Sequence, residues 1–304
     1  MNPILVYLDP TEDNLPVVNK AEFLAQRWQC PLVLFSAAFH SALARGLAGG
    51  SDGRAENQQA SYLREQEQKL EAIARQLRER GLEVSTRVAW CKHAWQAIEK
   101  LLEEQDFDLI LKGTHHQNVM QRTFFSSTDW DLMRCSPLPV LLVKDNPWPD
   151  TGMHLTACVD PVEQGDAPRL LDKAILLQAK VWQEALDTRL EVLNVYDPTP
   201  FIVYMDPPVP DTTPITEALA EQHQDALNKL LDECGIPQAQ GRLEAGTPTS
   251  TIPELVQDSG SHVVVLGAQT REGLNRWLIG HTAEKILDRL RCDVLVIKTD
   301  QSGS

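Results

Sequence analysis

The residues with the clearest chemical potential surround a short apolar run near the carboxyl end of the chain. Val263 to Leu266 is a β-branched run typical of a buried strand, Gly267 ends it, and Gly280 opens an amphipathic segment. A glycine after a strand lets the backbone approach a bound group closely, and a helix start presents free N–H groups. The pattern therefore suits a phosphate, although turn formation alone would also explain both glycines.

A βαβ unit, from Val263 to Ile297, is the frame that would hold these residues. The segment after Gly280 carries apolar residues at helical spacing and is followed by a second buried strand, Val294 to Ile297. A strand, a helix and a second strand in this order predict two parallel strands.

The pattern occurs twice in the chain. One offset of 154 residues separates Gly113 from Gly267 and Val140 from Val294, and an Asp-Pro pair ends the first strand of each copy, at Asp9 and at Asp160. A constant offset of this kind indicates duplication. We therefore predict two tandem doubly wound, Rossmann-like α/β domains, over residues 1–146 and 152–300, each with a five-stranded parallel sheet.

The loop motif of the second copy resembles that of the universal stress proteins. Gly267, Thr270, Gly280 and His281 stand where that family carries G-x2-G-x9-G-[ST], and both Thr270 and His281 depart from it. Thr282 to Lys298 is similar to the family's closing helix and strand. The resemblance covers nearly the whole chain and implies a tandem member with an adenine nucleotide alpha hydrolase-like fold, ATP or AMP as ligand, and a role in stress tolerance.

The second copy is the expected ligand site. In nucleotide-binding members of the family, an acid at the end of the first strand meets the adenosine part of the ligand. Alternatively, the side chain of Asp160 only forms an Asp-Pro turn and contacts no ligand. For Asp9, this structural role is the favoured one. The expected nucleotide-binding residues are Asp160, Gly267, Thr270, Gly280, His281 and Thr282.

Phosphate binding is not expected in the first copy, which reads G-x2-H followed by nine residues and two serines. His116 and Ser126 replace two glycines there, so that side chains would crowd the phosphate path and restrict the backbone.

Composition and charge exclude several classes of function. The 304 residues carry a net charge of −15, which argues against binding to nucleic acid or to an anionic membrane. The six cysteines form no C-x-x-C pair and no apolar run is long enough for a membrane span, which favours a cytoplasmic protein. Cys91, His93, His115 and His116 fit no standard zinc spacing, so no metal is expected.

Catalysis is not predicted, because neither a nucleophile-base arrangement nor the lysine of a P-loop can be found. We expect a binding protein, and a slow ATP hydrolase is the alternative. A second alternative is a binder of an apolar ligand beneath residues 197–214, a proline-rich loop with an apolar run from Phe201 to Met205. The expected partners are the two domains themselves, packed together, with a homodimer as an open arrangement. Ser41 to Arg54 is predicted as a mobile loop.

Overall fold

The structure, a computed structural model, describes residues 1–48, 53–114, 125–162, 166–199, 212–270, 277–278 and 281–299. The chain divides into two compact units. The first unit consists of the described parts of Met1–His116, Phe125–Leu132 and Leu138–Asp145. The second unit consists of Met133–Pro137 and the described part of Asn146–Ser304. The domain limits 1–146 and 152–300 remain a prediction.

The first unit is a parallel sheet with strand order β3-β2-β1-β4-β5. The strands Ile4–Tyr7 and Val140–Val143 are apolar and buried throughout, as expected for strands covered by helices on both faces. The elements of this part of the chain are β1 Ile4–Tyr7, α1 Leu15–Trp28, β2 Leu32–Ala38, α2 Ser41–Ala48, α3 Gly53–Glu79, β3 Val84–Trp90, α4 Ala94–Glu104, β4 Leu109–Gly113, α5 Ser127–Cys135 and β5 Val140–Val143.

The second unit repeats this order as β8-β7-β6-β9-β12, again with parallel pairs. A small antiparallel hairpin, β10–β11, follows β9. The elements are β6 His154–Cys158, α6 Asp166–Leu186, β7 Arg189–Tyr196, α7 Thr213–Cys234, β8 Gly241–Ala245, α8 Pro248–Asp258, β9 Val263–Gly267, β10 Gln269–Thr270, β11 Trp277–Leu278, α9 His281–Leu287 and β12 Asp293–Ile297.

The predicted fold class is confirmed, since each unit has five parallel strands in the same doubly wound order. Equivalent helices also end alike. Gly81 follows α3 with φ of 88° and Gly235 follows α7 with φ of 64°, a left-handed conformation that glycine adopts without a steric penalty. None of the described helices is long and apolar enough to cross a bilayer.

The loop predicted for Ser41 to Arg54 is wrong at both of its ends. Residues Ser41–Ala48 form helix α2, and α3 begins at Gly53. The segment reads SALARGLA, and the helix propensities of alanine, leucine and arginine outweigh the single glycine.

Candidate functional site

Two of the predicted site residues, Asp160 and Gly267, lie at the carboxyl ends of β6 and β9, which are adjacent parallel strands. Asp160 lies two residues beyond β6, and Gly267 is the last residue of β9. Ligands of doubly wound sheets bind outside this edge. The sequence repeat therefore places these two residues on the side of the sheet where the fold can bind a ligand.

Asp160 and its counterpart Asp9 differ in what their carboxylates do. One oxygen of Asp9 accepts hydrogen bonds from Thr11 N at 2.9 Å and Thr11 Oγ1 at 2.6 Å, which is the predicted turn. The backbone N–H of Asp160 donates to Asp172 Oδ1 at 3.2 Å, while its exposed side chain makes no hydrogen bond to a described residue. No described residue therefore competes with a ligand for the Asp160 carboxylate.

The packing around position 267 gives a reason for a glycine there that the sequence did not indicate. A Cβ at this position would lie 2.6 Å from Leu171 Cδ2 and 2.9 Å from Ile175 Cδ1, both on α6. A Cβ at Gly113 would meet no described atom within 4 Å. Close contact between α6 and β9 thus favours a glycine at 267, whether or not a ligand approaches it.

The remaining predicted residues are only partly described. Thr270 lies in β10, with its backbone paired to Trp277, and His281 is the first residue of α9. Thr282 follows in the first turn of α9 and is exposed. Gly280 lies outside the described residues. The structure therefore brings Asp160 and Gly267 to one edge of the sheet and gives only the backbone position of Thr270 and His281.

The first unit contains a buried ion pair at the equivalent loop and helix start. Lys112 Nζ lies 2.7 Å from Asp129 Oδ1, and the two side chains are 1% and 0% exposed. The other carboxylate oxygen of Asp129 accepts hydrogen bonds from Ser126 N at 2.6 Å and Ser126 Oγ at 2.9 Å. Ser126 and Asp129 form a capping box, in which an internal carboxylate occupies the start of α5.

This internal carboxylate makes the first crevice unsuitable for a further anion. Burial, together with the carboxylates of Asp9 and Asp129, raises the pKa of the Tyr7 phenol well above its ordinary value. The space at the start of α5 is therefore filled by the protein's own carboxylate, which is paired with Lys112. Its residues were not among those predicted, although a lysine ending an apolar strand and the spacing S-x-x-D were signals that could have identified them.

The second unit lacks this ion pair. At the same offset of 154 residues, Lys112 corresponds to Leu266, Ser126 to Gly280, and Asp129 to Ala283. Leu266 is a buried apolar residue at the end of β9, and Ala283 is half-buried in α9. No side chain of these types can supply an internal carboxylate, so the loop region of the second unit keeps no built-in anion at these positions.

A buried polar cluster beside Asp160 was also missed by sequence reasoning. Asn194 Nδ2 donates to the Val159 carbonyl at 3.0 Å, which leaves Asn194 Oδ1 as the acceptor for His223 Nδ1 at 3.0 Å. His223 stacks on Tyr196, with 4.7 Å between ring centroids and 24° between planes. Burial lowers the pKa of His223, an effect that the Asp160 charge opposes.

This cluster fixes the end of β7 next to Asp160. Because Asn194 Oδ1 must accept, His223 carries its proton on Nδ1 and its Nε2 is an acceptor. An asparagine within the apolar strand sequence LEVLNVY was the available signal. The arrangement offers acceptors and a partly exposed aromatic ring at the edge where Asp160 lies.

No metal centre emerges from the part of the chain that the structure describes, where no three histidine, cysteine or acidic side chains lie close enough to share an ion. Cys91 Sγ instead donates to the His93 carbonyl at 3.2 Å. His115 and His116 lie outside the described residues, as does the predicted apolar run from Phe201 to Met205.

Comparison with known sequences decides the family. The sequence model of the universal stress protein family matches residues 1–144 and again residues 153–298. The chain belongs to the universal stress protein family. Because the family model matches in tandem, this is a two-copy universal stress protein, as the constant offset predicted.

Two relatives of this universal stress protein match it over nearly its whole length. Universal stress protein E of Escherichia coli strain K12 is 29% identical, over 98% of this chain and 94% of the relative. Universal stress protein E of Photorhabdus laumondii is 27% identical, over 98% and 95%. The crystal structure of a functionally unknown protein from Pseudomonas aeruginosa PAO1 is also similar, with a TM-score of 0.71 over 97% of this chain and 92% of that one. The two sequences are 27% identical.

A universal stress protein from Archaeoglobus fulgidus supports the fold alone. Its structure is 16% identical, with a TM-score of 0.66 over 97% of this chain and 98% of that one. The tandem doubly wound architecture therefore persists where little sequence identity remains.

Proposed function

We propose that this universal stress protein binds one adenine nucleotide, ATP or AMP, in its second copy and none in its first. The contrast between Asp129 and Ala283 carries the proposal. In the first copy the position near the loop glycine is occupied by the Asp129 carboxylate, held by Lys112 and Ser126. In the second copy the corresponding residue has no charge, so a ligand anion would meet no internal competitor there.

The state of the two strand-end acids supports the same asymmetry. Asp9 uses its carboxylate in its own turn, whereas the Asp160 carboxylate is exposed and makes no hydrogen bond within the described residues. A carboxylate at the end of β6 can accept hydrogen bonds from ligand hydroxyl or amino groups. The proposed nucleotide-binding residues are Asp160, Gly267, Thr270, Gly280, His281 and Thr282.

The protein is proposed to act by binding in a stress response, in the cytoplasm, without a dedicated catalytic activity. All six cysteines are free thiols, as is usual in a reducing compartment. The net charge of −15 supports the absence of nucleic-acid binding. We also propose that two copies of this chain form a homodimer.

Matched substitutions of the two acids test the ligand site. Equilibrium dialysis of labelled ATP and AMP against the full chain, with the Asp160→Ala and Asp9→Ala variants, measures the affinity of each. A hydrogen bond to a charged group contributes about 1.5–3 kcal/mol, so Asp160→Ala should weaken binding roughly 10- to 100-fold while Asp9→Ala leaves it unchanged. Equal losses in both variants, or no binding by the wild type, would contradict the proposal.

Two further readings from the same samples separate the alternatives. Release of phosphate from bound ATP would indicate a slow hydrolase, since a binding protein returns the nucleotide intact. Mass spectrometry of molecules extracted from the purified protein would identify an apolar ligand if one is bound in place of a nucleotide.

A further inference from the structure

A buried chain of hydrogen bonds connects His223 on α7 with the backbone just before Asp160. Asn194 and His223 are 0% and 8% exposed. Asn194 Nδ2 donates to the Val159 carbonyl, and His223 Nδ1 bonds to Asn194 Oδ1, each at 3.0 Å. Because Val159 directly precedes Asp160, the backbone that carries the Asp160 carboxylate is held by His223 through one intervening side chain.

The direction of this chain fixes where His223 can take a further proton. Asn194 uses its amide nitrogen on a carbonyl, so its oxygen faces the ring, and an amide oxygen can only accept a hydrogen bond. Nδ1 of the ring therefore carries a proton already, and Nε2 is the basic nitrogen. A second proton binds at Nε2 and turns the ring into a cation.

The Asp160 carboxylate is the charge that acts on this ring. Burial disfavours the protonated ring and lowers the pKa of His223, whereas Asp160 favours the protonated form. The titratable group on β7 is Tyr196, whose ring stacks on His223 with 4.7 Å between the centroids. One helical turn away on α7, Leu219 and Leu227 are buried and carry no charge. A proton on His223 thus acts most directly on Asp160.

Other charged side chains near α7 have partners of their own. They include Asp172 and Lys173 on α6, Asp197 after β7, and Arg242 and Glu244 on β8. The Asp160 carboxylate, by contrast, is exposed and makes no hydrogen bond to a described residue. It is therefore the acid whose availability can change when His223 changes charge.

The first copy lacks this connection. Leu8 and Val159 each donate a backbone hydrogen bond to the second strand of their copy, and the residue after the acceptor is Ser36 in the first copy and Asn194 in the second. The buried Ser36 hydroxyl makes no hydrogen bond within the described residues. The link from strand to helix thus belongs to the copy in which the nucleotide site is proposed.

We propose that His223 is a positioning residue of the second-copy nucleotide site, which leaves Asp160 to the ligand when neutral and withdraws it when protonated. The neutral ring holds the backbone through Asn194 and does not attract the carboxylate. The imidazolium attracts the carboxylate and competes with the hydroxyl or amino groups of the ligand. This inference rests on the proposed function, because it takes Asp160 as a ligand-binding residue.

The proton and the nucleotide therefore oppose each other's binding. Coupling between two sites is reciprocal, so a proton that weakens nucleotide binding by a given factor is itself bound more weakly by that factor when the nucleotide is present. Because burial lowers the pKa of His223 below its ordinary value of about 6.5, nucleotide binding should begin to weaken at mildly acidic pH.

Equilibrium dialysis of ATP and AMP against the full chain, at about pH 7.5 and about pH 5, tests this control. Acidification should weaken binding by wild type about two- to fivefold more than binding by His223→Phe, which keeps a stacked ring but cannot titrate. The ligand phosphates titrate near about pH 6, but they do so equally with both proteins. His93→Gln, at an exposed histidine of the first unit, is the matched control and should behave as wild type.

Proton NMR of the His223 ring in the wild type gives a second measurement, which needs no variant. Saturation with nucleotide should lower the pKa of His223, since the bound ligand takes up the carboxylate that favours the cation. Circular dichroism at both pH values checks that each protein stays folded.

The inference and the proposed function fail in different ways. An equal loss of affinity in wild type and His223→Phe, or a His223 pKa that bound nucleotide leaves unchanged, overturns the role of His223 while the nucleotide site stands. A wild type that binds neither ATP nor AMP at the higher pH overturns both.

Discussion

The buried pair of Lys112 and Asp129 allows a quantitative test of why the two copies differ. Removing one partner of a buried ion pair leaves an uncompensated charge and costs about 3–5 kcal/mol. Lys112→Leu should fall at the low end, because Ser126 still donates two hydrogen bonds to Asp129. Asp129→Ala should fall at the high end, since it also removes the capping box, which is worth about 1 kcal/mol.

The double variant reproduces the pair Leu266 and Ala283 of the second copy. With both charges gone, Lys112→Leu with Asp129→Ala should destabilise the first unit by only about 1–2 kcal/mol, because mainly the cap is lost. The two single effects add to about 7–9 kcal/mol, so the coupling energy should be at least about 5 kcal/mol. Such coupling distinguishes an ion pair from two independent contributions to packing.

Hydrogen exchange measured by mass spectrometry provides the assay. Peptides from β1 and β4, which are central and buried strands, should contain the most protected amides of the first unit, so their exchange should report its unfolding free energy separately from that of the second unit. Peptides from β6 and β9 serve as the internal control and should not change. Single variants that each cost less than about 1 kcal/mol, or whose effects simply add in the double variant, would refute the role assigned to the pair.

Three further predictions concern the second unit. Gly267→Ala should destabilise it by about 1–3 kcal/mol in urea denaturation, because the added methyl group clashes with Leu171, whereas Gly113→Ala should have almost no effect; equal effects would contradict this packing argument. Burial lowers the pKa of His223, so the folded state binds fewer protons than the unfolded state; stability should therefore fall as pH drops below about 6.5, and His223→Phe should remove that dependence. Burial lowers the pKa of Lys298 to about 7, so stability should rise between about pH 7 and pH 10, a slope that Lys298→Met should abolish in the same titration.

The sequence was sufficient for the fold because its signals are local and repeated. Apolar β-branched runs at a constant offset, such as Val140 and Val294, specify buried parallel strands, and the structure has both in equivalent positions. The segment Ser41–Ala48 was misjudged because the glycine, alanine and serine content of the longer segment Ser41 to Arg54 received more weight than the helix-forming residues within it. Local propensity decides such a segment when no proline interrupts it.

The site was only partly predictable, since its polar contacts join residues far apart in the chain. Lys112 and Asp129 are 17 residues apart and Asn194 and His223 are 29 apart, so only the fold brings each pair together. The packing of Leu171 against Gly267 likewise depends on the placement of α6 over β9. A glycine pattern identifies where a backbone is unhindered, but it does not tell whether a ligand or a neighbouring helix occupies the space.

Native mass spectrometry of the intact chain with excess ATP or AMP tests the central claim most directly, because it counts the bound nucleotides. We expect one nucleotide per chain, with a much lower occupancy in Asp160→Ala and an unchanged occupancy in Asp9→Ala. Two nucleotides per chain would show that Lys112, Ser126 and Asp129 do not exclude an anion from the first copy. If Asp160→Ala still binds one nucleotide and Asp9→Ala binds none, the site lies in the first copy, which would contradict the account.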